Sequence, residues 1–134
     1  ITTADHREFA LATDLGEVTP CVREHLLGAE FVVMESNHDK EMLRCGPYPY
    51  YLKRRILSER GHLSNEDCAS FLPELVRAGT KRILLAHLSR ENNTPTLAGE
   101  TALAALTAAG CRPGTDFRLE VAAPDNPEGK TIIF

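Results

Sequence analysis

Short apolar runs alternate along the chain with longer stretches in which apolar residues recur at helical spacing. The runs at residues 8–13, 31–34 and 81–86 predict buried strands, and the alternation at residues 117–121 predicts a strand nearer a sheet edge. A last short strand is predicted at residues 131–134. Strands that alternate with helices indicate an α/β layer with mostly parallel pairing.

Helices are predicted where a capping residue precedes an apolar stripe. Thr19, Ser64 and Thr94 are suited to the N-cap position, because a hydroxyl there accepts a hydrogen bond from a free backbone N–H. A further helix is predicted over residues 48–59. Pro73 lies inside the helix that Ser64 begins, and it predicts a kink or an early end, since proline lacks the backbone donor.

Length and composition set the class of protein. The 134 residues are 43% hydrophobic and 25% charged, which predicts a single globular domain over residues 1–134. No apolar run approaches the roughly 18 residues that a membrane-spanning helix requires, so no membrane association is expected. The four cysteines lack the CxxC spacing of thiolate zinc sites, and we expect reduced thiols in a cytoplasmic protein.

The net charge of −4 conceals a basic segment. Residues 40–60 carry six basic and two acidic side chains, a local charge of +4. This segment is either an ordinary solvated helix surface or a surface that contacts phosphates, and both interpretations stay open. Tyrosines interleaved with the cations favour the second, because their rings can stack on bases.

Ionisable side chains follow three of the predicted strands. Asp14, Glu35 and His87 come directly after strands, and ligands of open α/β sheets bind at the carboxyl ends of strands. Each of the three also has an ordinary structural explanation: Asp14 as a turn aspartate, Glu35 as a polar strand end and His87 as a loop histidine. Together they predict one polar cluster, with donors suited to zinc or manganese but fewer than the usual three protein ligands. His62, at a helix entrance, can face a bound anion.

Five short motifs then occur in a fixed order: DLG at 14–16, ESNHD at 35–39, GPYP at 46–49, GHLSN at 61–65 and AHLSRENN at 86–93. The series resembles the C-terminal half of metallo-β-lactamase-fold hydrolases of the YycJ, WalJ and VicX type, and it is similar to the matching half of ribonuclease Z. The resemblance covers residues 5–125. It implies an α/β fold, the C-terminal half of the αββα metallo-β-lactamase architecture, with a mixed, mostly parallel sheet and flanking helices.

The resemblance also implies a chemistry. The expected activity is DNA exonuclease cleavage of phosphodiester bonds by two divalent metal ions, zinc or manganese. Asp14 would bridge the two ions and His87 would bind one of them, while Glu35 would pair with His62. His62 would protonate the leaving oxygen or hold the scissile phosphate. The HxHxDH motif that supplies most ligands in this family is absent from the chain, so an N-terminal half would complete the site.

Further expectations concern binding surfaces. The candidate nucleic-acid contacts are Tyr48, Lys53, Arg54, Arg55, Ser64 and Asn65. A half-fold leaves one apolar sheet face open, predicted to consist of Phe9, Leu11, Phe31, Val33, Ile83 and Leu85. We expect that face to pair with the N-terminal half or with a second copy of the chain. Two other functions stay open: hydrolysis of a small ester or cyclic phosphodiester, and a non-catalytic assembly module.

Overall fold

The structure, a computed structural model, describes residues 1–123. Its strands are β1 (Phe9–Ala12), β2 (Phe31–Glu35), β3 (Arg82–Ala86) and β4 (Arg118–Val121). Its helices are α1 (Pro20–Leu26), α2 (Lys40–Cys45), α3 (Tyr50–Ile56), α4 (Asn65–Arg77) and α5 (Pro95–Ala108). The strand predicted at 131–134 lies outside the described residues. Within the described part, no helix has the length and apolar character needed to cross a membrane.

The four strands form one sheet in the order β1-β2-β3-β4, and every neighbouring pair is parallel. The predicted α/β class is therefore correct, and the described sheet is wholly parallel rather than mixed. Because strand order follows chain order, right-handed crossovers all turn to the same side. The connecting helices α1, α4 and α5 accordingly lie against one face of the sheet.

The hydrophobic core lies between that sheet face and the helices. Val32 and Met34 of β2 are fully buried, as is Leu85 of β3, and they pack with Leu72 of α4 and Leu106 of α5. Burying each side chain of this size contributes about 1.5–3 kcal/mol relative to exposure. The core thus fixes the strands whose carboxyl ends carry the polar side chains.

The opposite sheet face differs in part from the prediction. The register pairs Phe31 with Arg82 and Val33 with Leu84, so the expected positions Ile83 and Leu85 face the helices instead. The prediction was wrong for those two residues because side chains alternate along a strand, and the run at 81–86 was aligned one residue out of register. Phe9, Leu11, Phe31, Val33 and Leu84 share this second face, the open sheet face, on which Leu11 is exposed while Phe31 and Val33 are buried.

The helix caps agree with the sequence. The side chains of Thr19, Ser64 and Thr94 each accept a hydrogen bond from a backbone N–H of the first turn of α1, α4 and α5. The short helix α2 was not predicted from the sequence. Its N-cap is Asp39, whose carboxylate accepts a hydrogen bond of 2.7 Å from the N–H of Met42.

Pro73 does not break α4, which continues from Asn65 to Arg77. Proline removes one helical hydrogen bond, at a cost of about 3 kcal/mol. Leu72 and Leu75 beside it are fully buried against the sheet, and that burial offsets the missing bond. The predicted early end was wrong because tertiary packing outweighs local propensity here.

All four cysteines are free, as expected from their spacing. Cys21 and Cys45 are exposed, whereas Cys68 and Cys111 are buried. Burial raises the pKa of the Cys68 thiol to about 12. Cys68 is therefore a packing residue rather than a nucleophile.

Candidate active site

A buried carboxylate organises the carboxyl edge of the sheet. Glu35, the last residue of β2, is fully buried, and its Oε1 lies 2.8 Å from Nδ1 of His62 and 2.9 Å from Nδ1 of His87. Its Oε2 accepts a hydrogen bond of 2.7 Å from the N–H of Leu15. A carboxylate only accepts hydrogen bonds, so Nδ1 of each imidazole carries the hydrogen. Nε2 of each ring is left available for another partner.

The expected contact between Glu35 and His62 is present, and the second contact, to His87, was not anticipated. It joins residues 52 positions apart in the chain. His87 follows β3 and Glu35 ends β2, so the parallel pairing of these strands brings the two side chains to the same edge.

Two of the site residues have left-handed backbone conformations. Asp14 has φ of 60° and His87 has φ of 59°. For a residue with a Cβ this conformation costs of order 1–3 kcal/mol, and it persists where the surrounding structure enforces it. Both residues lie where the chain leaves a strand, and the positive φ turns the backbone sharply there. The carbonyl of His87 is held by the side-chain amide of Asn37, at 2.8 Å.

Asp14, His62 and His87 form a three-residue cluster. Each offers one donor atom, and these atoms lie within 4.8 Å of one another. Asp14 Oδ1 and His87 Nε2 are 3.9 Å apart, too far for a hydrogen bond. An ion with bonds of about 2.0–2.2 Å fits between two atoms at that separation. One carboxylate oxygen and two imidazole nitrogens suit zinc or manganese, so the donor set fits a metal of the expected kind.

Glu35 takes the position of an outer-shell partner to this cluster. A metal-binding histidine commonly donates its other ring N–H to a carboxylate, which fixes both its tautomer and its orientation. Glu35 does this for His62 and His87 together. His62, whose predicted role is catalytic, thus has the geometry of a ligand as well.

Two glycines near the cluster lie where backbone segments are in close contact. A Cβ on Gly16 would lie 2.2 Å from the carbonyl oxygen of Glu59, and one on Gly61 would lie 2.0 Å from that of Ile56. No side chain fits at either position. The loop after Asp14 therefore packs directly on the turn that precedes His62.

The cluster opens into a groove of about 610 Å³. Tyr48, Arg55 and Arg60 line this groove together with the three donor residues. The Tyr48 hydroxyl donates a hydrogen bond to the Glu91 carboxylate, and this bond raises the pKa of the tyrosine. The groove is thus bordered by two arginines and by a tyrosine whose hydroxyl is anchored.

Comparison with known proteins identifies similar sequences. No protein-family model and no solved structure matches the chain. It is 42% identical over 123 residues to the exodeoxyribonuclease YycJ of Bacillus anthracis, a match that covers 92% of this chain and 47% of that protein. It is 42% identical over 129 residues to the exodeoxyribonuclease WalJ of Streptococcus pneumoniae D39, covering 96% of this chain and 48% of that one. The chain resembles exodeoxyribonucleases of the YycJ and WalJ type over nearly its whole length.

This confirms the resemblance drawn from the five motifs. The chain spans about half the length of the curated family members that it matches. Asp14, Glu35, His62 and His87 are the site residues that the family motifs indicated, and the structure brings all four together.

The predicted nucleic-acid contacts separate into two groups. Tyr48 and Arg55 line the groove, as described above. Lys53 and Arg54 do not line it. Lys53 Nζ donates to the carbonyls of Arg44 and Gly46, at 2.7 Å each, and it thereby holds the end of α2. The Arg54 guanidinium lies 5.9 Å from the ring centroid of an exposed tyrosine on α3.

Ser64 and Asn65 are not placed to contact nucleic acid. Each is only 1% exposed. The Ser64 hydroxyl caps α4, and the Asn65 amide exchanges hydrogen bonds of 2.9 Å with Asn93 and accepts one from Ser36. These polar residues look like surface ligands in the sequence because nothing local reveals their buried partners. Their prediction as contacts is corrected to an internal structural role.

His38 is a buried imidazole beneath the site. It is 1% exposed, and neither ring nitrogen has a hydrogen-bond partner among the described residues. Burial, with a smaller contribution from the nearby His62, lowers the His38 pKa to about 4. His38 is therefore neutral near pH 7.

Proposed function

We propose that the intact protein carrying this chain is a metal-dependent DNA exonuclease that hydrolyses phosphodiester bonds at the Asp14–His62–His87 cluster. The observation that carries the proposal is the orientation of two imidazoles by the buried Glu35 carboxylate toward Asp14. The relatives' description as exodeoxyribonucleases supports the same class of reaction. The groove beside the cluster gives a polynucleotide access to it.

The centre in the intact protein holds two divalent ions, zinc or manganese, whose further ligands come from the N-terminal half. Such ions activate a water molecule and neutralise charge on the phosphate. Asp14 would contribute a carboxylate oxygen to them, and His87 would bind through Nε2, because Nδ1 of that ring is committed to Glu35. Glu35 contributes by holding both imidazoles in one tautomer.

In this proposal His62 is the general acid rather than a metal ligand, because its free Nε2 cannot bind an ion and carry the proton at the same time. Its Nδ1 donates to Glu35, so its Nε2 faces the groove and delivers a proton to the leaving oxygen. A carboxylate behind an imidazole stabilises the protonated ring that precedes this transfer. Histidine is the usual choice for proton transfer near neutral pH.

The proposal extends to the partner and the compartment. The protein is cytoplasmic, and its open sheet face packs on the N-terminal half of the same protein. Leu11 on that face is 60% exposed in this chain, and the chain spans about half the length of its relatives. Covering such apolar surface is favourable.

Cleavage assays on the intact protein test the function. End-labelled single- and double-stranded DNA and a small chromogenic phosphodiester are incubated with manganese or zinc. Asp14→Ala and His87→Ala should each lower DNA cleavage by at least about 100-fold, since each removes a metal ligand. The matched controls Asp116→Ala and His25→Ala, which lie outside the groove, should cleave normally. Cleavage of the chromogenic substrate without cleavage of DNA would contradict the proposal, as would full activity of Asp14→Ala.

A further inference from the structure

Two arginines of the groove have no carboxylate partner within residues 1–123. Arg55 and Arg60 line the groove, and neither forms an ion pair or a side-chain hydrogen bond with any described residue. Four other arginines of the described chain pair with carboxylates: Arg7, Arg23, Arg82 and Arg112. The groove thus keeps two guanidinium groups uncommitted in a protein whose net charge is −4.

Uncommitted guanidinium groups next to a metal cluster suit a phosphate. The planar fork of arginine matches phosphate oxygens in a bidentate arrangement, and such charge-assisted hydrogen bonds are about twice as strong as neutral ones. Arg55 belongs to α3, and Arg60 belongs to the turn that leads into His62. Both cations therefore approach the groove from the chain segment that delivers the proposed general acid.

Tyr48 adds an aromatic wall. It is half-buried, and its hydroxyl bond to Glu91 limits rotation of the ring. Stacking of a base on an aromatic ring contributes binding without dependence on sequence. A volume of about 610 Å³ lies within the range of roughly 300–1,000 Å³ that is typical of small-ligand sites, so the groove has room for a nucleotide beside the cluster.

We propose that Arg55, Arg60 and Tyr48 form a nucleotide subsite of the groove. The two arginines grip a backbone phosphate next to the one that is cleaved, and the Tyr48 ring stacks on the attached base. This inference rests on the proposed nuclease function, and it assigns Arg60 a part that the family motifs did not suggest. It also separates Arg55 from its neighbours Lys53 and Arg54, whose side chains are engaged elsewhere.

Binding of a short DNA strand to the intact protein tests the subsite. The probe is a fluorescent eight-nucleotide single strand, measured by anisotropy with EDTA present so that no hydrolysis occurs. Arg55→Ala and Arg60→Ala should each weaken binding by about tenfold or more, as expected for loss of a hydrogen bond to a charged group. Each should also make the slope of log affinity against log salt less negative by about 0.7. Both side chains are exposed, so the variants should fold normally.

Arg54→Ala is the matched control, because Arg54 is the adjacent residue on α3 and does not line the groove. It should retain the affinity and the salt slope of the wild type.

A second probe, with methylphosphonate linkages, lacks the backbone charge. The wild type should bind this neutral probe weakly, and Arg55→Ala should not lower that affinity further. Tyr48→Phe should bind like the wild type, whereas Tyr48→Ala should not. Equal losses for Arg54→Ala and Arg55→Ala, or a loss that persists with the neutral probe, would overturn the subsite.

Parallel cleavage assays separate the two proposals. If the wild type does not cleave DNA but both arginine variants lose charge-dependent binding, the nuclease function fails and the subsite stands. If cleavage requires Asp14 and His87 while neither arginine affects binding or salt slope, the subsite alone fails.

Discussion

Replacing Glu35 with glutamine tests the organisation of the site at its centre. Glutamine has nearly the same shape as glutamate, but it replaces one acceptor oxygen with an NH2 group that only donates. Three donors converge on the Glu35 carboxylate: two imidazole Nδ1 groups on Oε1, and the N–H of Leu15 on Oε2. As long as both rings keep the hydrogen on Nδ1, no rotation of the amide can satisfy all of them.

The size of the effect follows from these three bonds. With the amide oxygen toward His62 and His87, the new NH2 group meets the N–H of Leu15 and leaves a buried donor without an acceptor. An unsatisfied buried group costs about 1–3 kcal/mol, and the two remaining bonds lose their charge assistance. We expect Glu35→Gln to lower the free energy of unfolding by about 2–4 kcal/mol. Misoriented imidazoles should lower metal affinity or turnover by a further 10–100-fold or so.

Urea denaturation of the intact protein measures the first quantity, and competition with a metal chelator measures the second. Glu74→Gln is the matched control, since Glu74 pairs with Arg23 at the surface, and surface pairs contribute about 0–1 kcal/mol. If Glu35→Gln unfolds at the same urea concentration as Glu74→Gln and binds metal as the wild type does, Glu35 does not organise the site.

Two further predictions concern burial. The pKa of His38 is about 4 in the native protein against 6.5 for the free side chain, so between about pH 6.5 and pH 4 the unfolded chain binds a proton that the native protein does not, and the free energy of unfolding falls by up to a few kcal/mol. In His38→Leu, urea denaturation at pH 7 and at pH 5 should show a smaller loss of stability on acidification. An equal loss in the variant and the wild type would contradict the assignment. If the N-terminal half covers the open sheet face, Leu11→Asp should destabilise the intact protein by more than about 2 kcal/mol. The control Leu103→Asp, on the exposed side of α5, should change stability by no more than about 0.5 kcal/mol. Similar thermal unfolding of the two variants would mean that nothing packs on that face.

Local sequence signals were sufficient for most of the secondary structure. The N-caps Thr19, Ser64 and Thr94 act through residues within one helical turn, and their side chains bond as the sequence indicates. Strand ends are likewise visible, since an apolar run stops at a polar residue. That is why Asp14, together with His87, was found from pattern alone.

The predictions that were wrong share one cause: each depended on contacts between residues that are distant in the sequence. Whether Leu85 faces helices or the open side depends on its register with Met34, which a continuous apolar run does not encode. Asn65 looks like an exposed amide until Asn93, 28 residues away, supplies its partner. Pro73 remains helical because its neighbours are buried against the sheet.

The contacts of the candidate site were predicted only in part from the sequence. A motif match predicted that Glu35 pairs with one histidine, but its second histidine and the Leu15 N–H come from separate strand ends. Three parallel strands in chain order bring those ends to one edge, so the same topology that leaves one sheet face open also assembles the carboxylate with its donors. The positive φ at Asp14 then turns the chain at that edge. The pattern of apolar and polar residues does not predict this backbone conformation. The chemistry therefore depends on the order of the strands as much as on the identity of the residues that end them.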